Sequence, residues 1–268
     1  MTGESDAVVR HYELPGIVQR LLDGLGAQGR DLSRLGAADF RGMDQLHGGG
    51  FAATEAMAAL AGMTPGMRVL DAGSGLGGTS RYLAETFGVE VEAVDLTPGF
   101  VEAAEALNRL CGLDGLIRTR VGSVTALPCG DAEFDLVWSH YVAMNVSDKA
   151  ALFAEAFRVL RPGGRMVFAM LAEGPEGPPH YPLPWAREPS TSFLATPEAV
   201  LAGMEAAGFE VLEARKPPPR QAGAGSDAGL APKTAAMGDD MAQREENSRR
   251  SVAEGRLQPM MVLAGRPG

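Results

Sequence analysis

The sequence predicts an α/β fold: a Rossmann-like, seven-stranded and mostly parallel sheet with helices on both faces and an N-terminal helical cap. Two observations carry this prediction. From Met67 onward, short apolar segments alternate with segments of helical periodicity, and a glycine-rich loop directly follows the first apolar segment. Strands that alternate with helices need crossover connections, which give a parallel sheet covered on both faces.

Seven apolar segments are predicted to be strands. In chain order they read MRVLDAG, VEVEAVDL, IRTRVGSV, EFDLVWSH, GRMVFAML, EVLEA and PMMVLAG. Two of the helices between them are expected to begin at Thr-Pro pairs, Thr97-Pro98 and Thr196-Pro197. A threonine before a helix and a proline in its first position are a preferred helix start. Residues 162–164, Pro-Gly-Gly, are expected to form a turn before the fifth strand.

One domain is expected over residues 1–268, because a single α/β unit can reach this length. Leucine and alanine patterns predict two helices near the N-terminus, and two segments rich in proline interrupt the alternation further on. The expected parts are a helical cap (1–62), a cofactor-binding core (63–171), an excursion and a lid on the substrate side (172–195 and 215–237), and C-terminal helices and strands (196–214 and 238–268).

Composition and charge narrow the expected partners. The chain has 34 acidic and 24 basic residues, a net charge of −10, which repels nucleic acid and favours a small-molecule substrate. No apolar run reaches the roughly 18 residues of a membrane span, and the first residues lack the basic and apolar parts of a signal peptide. We therefore expect no nucleic-acid partner, no membrane partner and a cytoplasmic location. Cys111 and Cys129 are expected to be free thiols.

The loop at residues 73–78 reads Gly-Ser-Gly-Leu-Gly-Gly and admits two interpretations. It can seat the pyrophosphate of a dinucleotide, which indicates hydride transfer, or the amino-acid end of S-adenosylmethionine (SAM), which indicates methyl transfer. Both place the free N–H groups of a helix N-terminus at the ligand. Both also use an acidic residue at the end of the second strand, here Asp95, for the ribose hydroxyls. The loop alone does not separate them.

Three further features favour SAM. Asp71 lies two residues before Gly73, and a carboxylate there would repel phosphates but attract an ammonium group. The segment LPCGDAEFDLVWS joins a loop to Asp135, which is expected to be structural, at the start of the fourth strand. The segment RVLRPGGRMVF joins a helix, a turn and the fifth strand.

With these motifs in this order, residues 63–170 resemble the class I SAM-dependent methyltransferases. The matching segments are VLDAGSGLGG, VDL, LPCGDAEFDLVW and RVLRPGGRM. Within that family, GSGLGGTSRYLA followed by FDLVWS is similar to the enzymes that methylate small amines such as sarcosine and dimethylglycine. The resemblance implies SAM as the cofactor. Ser123 departs from the acid that the family often places beside the adenine, so this contact is expected to be weaker.

Open α/β sheets bind ligands at the carboxyl ends of their strands, so the candidate cofactor-binding residues are those that follow the first four strands. For the methionine portion of SAM they are Asp71, Gly73, Gly75 and Gly77. For the ribose and adenine they are Asp95, Leu96, Ser123 and Val124, and beside the sulfonium they are Ser139 and His140.

His140 is the candidate general base, since an imidazole with an unperturbed pKa near 6.5 can accept a proton at neutral pH. A packing or hydrogen-bonding histidine is the alternative. His47 is the second candidate catalytic residue, closing the site from the N-terminal segment, with a surface-loop histidine as the alternative. His180, Tyr181 and Trp185 are expected either to form an aromatic wall for an amine or to pack the excursion against the sheet.

We expect an enzyme that transfers a methyl group from SAM to nitrogen or oxygen of a small-molecule metabolite, a small amine being one candidate. The sulfonium already makes the methyl group electrophilic, so the protein would supply alignment and desolvation. No metal is expected, because the four histidines are widely separated. The alternatives are C-methylation of an activated ring or enol, and a non-catalytic, methyltransferase-like binding protein. A homodimer is the expected assembly, since twofold dimers are the commonest oligomers.

Overall fold

The computed structural model describes residues 3–12, 14–47, 49–217, 238 and 240–268. Most of the lid expected at residues 215–237 lies outside these residues. The helices are α1 (Gly3–Tyr12), α2 (Ile17–Ala27), α3 (Ala37–Phe40), α4 (Gly50–Ala61), α5 (Gly78–Phe87), α6 (Pro98–Leu110), α7 (Lys149–Val159), α8 (Pro197–Ala206) and α9 (Met241–Ala253). The strands are β1 (Arg68–Ala72), β2 (Glu90–Asp95), β3 (Ile117–Val121), β4 (Phe134–His140), β5 (Leu160–Glu173), β6 (Glu210–Arg215) and β7 (Leu257–Gly265).

The strands form one seven-stranded sheet in the order β3-β2-β1-β4-β5-β7-β6. Strands β1 to β5 pair in parallel with their neighbours, whereas β7 pairs antiparallel with both β5 and β6. The prediction of a mostly parallel, Rossmann-like sheet is confirmed. Strand β7 lies between β5 and β6, a position that the alternation of segments along the sequence does not indicate.

The strand order reverses direction next to β1. Strands β2 and β3 lie successively on one side of β1, and β4 lies on its other side. The loops after β1 and β4 therefore leave the sheet on opposite faces and open a crevice between them, which is where open α/β sheets bind their ligands.

Successive residues of the central strands serve the two faces of the sheet, because side chains along a strand alternate. Leu70 and Val137 belong to one apolar cluster, and Val69, Leu136 and Trp138 belong to another. All five are buried. The two faces are thus covered independently, and β1 is fixed firmly enough to hold the loop that follows it.

The N-terminal helices pack on the same end of the sheet as the glycine loop. Ile17, Leu21 and Leu25 of α2 share an apolar cluster with Leu76 of the loop and Leu107 of α6. These three residues of α2 recur at the spacing that the sequence predicts for a helical face. Burial of this face places the N-terminal segment over the carboxyl ends of the strands.

Two local predictions need correction. Thr97 precedes α6 and Pro98 begins it, as predicted, but the Thr97 side chain makes no capping hydrogen bond. Its backbone N–H instead donates to Oδ1 of Asp95, at 2.9 Å. Residues 162–164, expected to be a turn, are included in β5, with Gly163 at φ 77°.

Candidate functional site

A cavity of about 440 Å³ lies at the carboxyl ends of the central strands. The predicted site residues that line it come from the first four strands, their loops and the N-terminal segment: His47, Asp71, Gly73, Gly75, Asp95, Leu96, Ser123, Val124 and His140. Gly77 and Ser139 are not among its lining residues. The cavity therefore brings together most of the residues that the sequence singled out, although their roles stay predictions.

Gly73 requires glycine for two separate reasons. Its φ is 87°, in the left-handed region that residues with a Cβ rarely adopt. A Cβ on Gly73 would also lie 2.2 Å from Cγ2 of Val142, a residue that lines the cavity from the β4 side. The loop therefore lies directly against the Val142 side chain of the segment after β4.

Gly77 marks the start of α5 on the protein side of the loop. It has φ 74°, and its N–H donates to the Ser74 carbonyl at 2.9 Å. A Cβ there would lie 3.0 Å from Nη1 of Arg81 and 3.3 Å from Cβ of Ala104. Gly77 contacts other parts of the protein and does not line the cavity. The cavity lining therefore does not support its predicted contact with the methionine portion of SAM.

Asp71 is buried, with 2% of its surface exposed, at the carboxyl end of β1. Its Oδ2 accepts a hydrogen bond of 2.6 Å from the Ser80 hydroxyl. Burial, together with the negative charge of Asp95, raises the pKa of Asp71 to about 7, against the lowering effect of the hydrogen bonds from Ser80. An ammonium group in the cavity would stabilise the ionised carboxylate.

Asp95 ends β2 with both carboxylate oxygens oriented by backbone N–H groups. Oδ2 accepts from Gly75 and Oδ1 accepts from Thr97, at 2.8 and 2.9 Å. Burial raises its pKa, against these hydrogen bonds. Because each carboxylate oxygen has more than one acceptor site, a pair of ligand hydroxyls can still be bound from the cavity.

The loop after β3 uses its own hydroxyl groups locally. The Ser123 hydroxyl lies 2.8 Å from that of Thr125 and also accepts from the Thr125 N–H at 3.2 Å. Leu96 and Val124 supply apolar surface to the same part of the cavity. A planar apolar group could lie against these residues, with little polar recognition from Ser123.

His140 is almost fully buried, with 8% of its surface exposed. Neither of its ring nitrogens has a hydrogen-bond partner within the described part of the chain. Burial lowers its pKa to about 3, far from the unperturbed value on which its assignment as a general base rests. The imidazole is therefore neutral at physiological pH and suited to hydrogen bonding more than to proton abstraction.

His47 and Tyr141 pack against His140. The ring centroid of His47 lies 3.8 Å from that of His140 and 5.5 Å from that of Tyr141. His47 is held by Oε1 of Gln45 at 3.1 Å and by the Thr54 hydroxyl at 3.3 Å. The structure thus places His47 in the cavity wall, whereas its catalytic role stays a prediction.

The remaining predicted residues lie apart from the reacting space. Ser139 is buried outside the lining, and its hydroxyl has no partner among the described residues. Asp135 accepts from the Arg68 N–H at 2.8 Å and pairs with Arg161, which agrees with its expected structural role.

Of the three aromatic residues expected either to form a wall for an amine or to pack the excursion against the sheet, only Trp185 lines the cavity. His180 binds Oε2 of Glu254 at 2.7 Å, and Tyr181 packs against the apolar core. The cavity is completed by residues that the sequence did not reveal. The Tyr12 hydroxyl donates to Oδ1 of Asn145 at 2.9 Å, and Nδ2 of Asn145 donates to the Trp185 carbonyl at 2.8 Å.

Tyr141 was also missed, although it directly follows His140. It has φ 61°, an uncommon backbone conformation for a bulky residue and one that clusters at functional sites. No sequence pattern marks this conformation.

Among the described residues, no three His, Cys, Asp or Glu side chains are grouped so as to hold a metal ion, and no helix is long and apolar enough to cross a membrane.

Comparisons with known proteins agree with this geometry. Phosphoethanolamine N-methyltransferase 1 of Arabidopsis thaliana is 33% identical over 130 residues, which are 48% of this chain and 26% of that protein. Sarcosine/dimethylglycine N-methyltransferase of Halorhodospira halochloris is 38% identical over 104 residues, 39% of this chain and 37% of that protein. The chain thus matches well under half the length of either curated relative.

A solved structure of geranyl diphosphate methyltransferase in complex with SAM has a TM-score of 0.64 and 25% sequence identity, over 80% of this chain and 84% of that chain. Residues 70–168 also match the family model described as a methyltransferase domain. These residues include the glycine loop, Asp71, Asp95 and His140. The resemblance predicted from the motifs is confirmed over residues 70–168, which match the methyltransferase domain family.

Proposed function

We propose that this chain transfers the methyl group of SAM to a nitrogen or oxygen atom of a small-molecule acceptor in the cytoplasm. One observation carries the proposal: a single cavity at the switch point of the sheet joins the glycine loop and two buried carboxylates to a cluster of rings around His140. The first group of residues suits the cofactor, and the second lies where an acceptor would meet it.

The residues present fit SAM. Asp71 would hold the ammonium group of SAM. Its pKa of about 7 means that no nearby positive charge among the described residues stabilises the ionised carboxylate, and an ammonium group would supply one. Asp95, with both oxygens oriented by backbone N–H groups, would accept from the ribose hydroxyls. Leu96 and Val124 would lie against the adenine. When bound, SAM supplies a methyl group made electrophilic by its sulfonium.

The chain's own contribution is alignment and exclusion of water. Tyr12 of α1 and Trp185 of the excursion are tied together through Asn145, so two segments far apart in the sequence close the cavity jointly. The two ring nitrogens of His140 have no hydrogen-bond partner among the residues that the structure describes. We assign it to hydrogen bonding with the acceptor, because its lowered pKa makes it a weak base.

Nitrogen is the acceptor atom that the curated relatives favour, since both of those reported above are named N-methyltransferases. A second candidate is C-methylation of an activated ring or enol. The apolar lining from Met144, Val146 and Leu171 favours that alternative, because an acceptor that is methylated at carbon has an apolar ring or chain around the reacting atom. The product of the reaction separates the two.

The test is release of S-adenosylhomocysteine from SAM by the purified full-length chain, in the presence of small-molecule fractions of a cell extract. We expect one or more fractions to stimulate release and to yield a product with a new N-methyl or O-methyl group. A C-methyl product would support the second candidate. Binding of S-adenosylhomocysteine without any stimulated release would support the non-catalytic alternative.

A further inference from the structure

Part of the cavity wall has no role in the cofactor assignment above. We call it the acceptor side and define it by Tyr12, His140, Tyr141, Asn145 and Trp185. Its apolar surface comes from four further lining residues: Met144, Val146, Leu171 and Pro184. An acceptor must match both this apolar surface and whatever hydrogen-bonding capacity the five residues leave open.

Most of that capacity is already used within the protein. Tyr12 donates to Asn145, Asn145 donates to the Trp185 carbonyl, and Nε1 of Trp185 donates to the Ser192 hydroxyl at 3.0 Å. His140 is different, because both of its ring nitrogens are buried and without a hydrogen-bond partner in the described residues. Buried polar atoms are normally bonded, so the two nitrogens of His140 are the unused hydrogen-bonding capacity of this wall.

The acceptor side offers an anionic acceptor no cationic partner among the described residues. Four carboxylates line the cavity: Asp44, which is paired with Arg81, Asp71 and Asp95, which are assigned to the cofactor, and Asp148. Over residues 3–12, 14–47, 49–217 and 240–268, no lysine or arginine side chain is part of the lining. Burying a carboxylate or phosphate without a cationic partner is costly, whereas an amine or its ammonium product meets complementary charge.

The rings beside His140 favour an amine over a hydroxyl acceptor. His140 lies 5.1 Å from Tyr141 and 3.8 Å from His47, centroid to centroid, so aromatic faces surround the nitrogen at which a positive charge would form. A phenol or alcohol must lose its proton to become a good nucleophile. Burial lowers the pKa of His140 to about 3, so this residue is too weak a base to accept that proton. An uncharged amine needs no base, because its lone pair is already available.

We infer, resting on the proposed function, that the acceptor is a primary or secondary amine on an apolar body without a carboxylate or phosphate, and that His140 binds its N–H. The nitrogen lone pair forms the new N–C bond while the C–S bond breaks and its electron pair goes to sulfur. The uncharged amine that reacts has already given its proton to solvent, and the products are S-adenosylhomocysteine and the methylated ammonium ion, which leaves the site as the cation.

The test measures binding to the full-length chain saturated with S-adenosylhomocysteine. Matched pairs differ only by a carboxylate: phenethylamine against phenylalanine, and tyramine against tyrosine. Phenethyl alcohol replaces the amine by a hydroxyl group, and phosphoethanolamine and sarcosine are small amines that carry a phosphate and a carboxylate. We expect at least one of the two amines to bind about tenfold or more tightly than its carboxylated partner, because the latter buries an unpaired charge.

Variants of His140 connect the selectivity to that residue. His140→Phe keeps a ring but removes both nitrogens, and should weaken binding of the amine about tenfold. His140→Gln, which restores an acceptor, should recover part of it. His180→Gln is the matched control, since His180 binds Glu254 outside the cavity, and should leave amine binding unchanged. Thermal unfolding of each variant shows whether it folds.

Three results would overturn the inference while leaving the proposed function intact. They are equal or tighter binding of the carboxylated or phosphorylated compounds, equal or tighter binding of phenethyl alcohol, and no binding of either amine to protein that does bind S-adenosylhomocysteine. Failure of S-adenosylhomocysteine itself to bind would overturn the proposed function, and this inference with it.

Discussion

At the scale of single residues, the site depends on carboxylates that are held ready for a cation. Asp71 has a pKa of about 7 because it is buried and lies near Asp95. An ammonium ligand favours the ionised form, so binding must ionise the fraction of Asp71 that is still protonated. The affinity for the ligand should therefore rise with pH until Asp71 is fully ionised.

We predict that S-adenosylhomocysteine binds about tenfold more tightly at pH 8 than at pH 6, because a group of pKa about 7 passes from mostly protonated to mostly ionised over that range. Calorimetric titration at both values measures this. The Asp71→Asn variant should bind weakly and lose most of the pH dependence. An equal pH dependence in the variant would show that Asp71 is not the titrating group.

Gly73 gives a second prediction at this scale. Gly73→Ala should destabilise the protein more than Gly163→Ala, since both positions have positive φ but only at Gly73 would the added Cβ meet a neighbour, at 2.2 Å from Val142. Strain at φ alone costs about 1–2 kcal/mol. Denaturant unfolding of both variants isolates the steric part, and equal losses of stability would refute the close approach.

At the scale of elements, the glycine loop is fixed from below by a buried ion pair between α5 and the segment after α3. Nη2 of Arg81 lies 2.8 Å from Oδ2 of Asp44, and Nη1 donates to Oδ1 of Asn108 at 3.0 Å. Burial raises the pKa of Asp44, and the charge of Arg81 opposes that shift. The pair couples the N-terminal helices to the loop, and Asp44 also lines the cavity.

We predict that Arg81→Met destabilises the protein by about 3–5 kcal/mol, because it leaves the Asp44 carboxylate buried without its partner. Arg109→Met is the matched control. Arg109 pairs with Glu105 on the exposed face of α6, where such pairs contribute about 0–1 kcal/mol. The double variant Arg81→Met with Asp44→Asn should be less destabilised than the sum of the single changes. Urea unfolding measures these three variants and Asp44→Asn alone, and similar losses of stability for Arg81→Met and Arg109→Met would contradict the coupling.

At the scale of the whole molecule, local periodicity and motif spacing predict the sheet, its glycine loop and the positions of Asp71 and Asp95. These features follow from short segments and from the rule that ligands bind at the carboxyl ends of parallel strands. The antiparallel entry of β7 and the closure of the cavity do not follow. Tyr12 and Asn145 are 133 residues apart, so no local pattern announces their contact. The lowered pKa of His140 likewise arises from tertiary burial.

The central claim is that the glycine loop binds SAM rather than a dinucleotide. Calorimetric titration with S-adenosylhomocysteine, with NADH and NADPH in parallel, tests it most directly. We predict saturable micromolar binding of S-adenosylhomocysteine alone, weakened in Asp95→Ala by about 1.5–3 kcal/mol through lost hydrogen bonds to a charged group. Binding of a nicotinamide nucleotide alone, or of none of the three, would contradict the account.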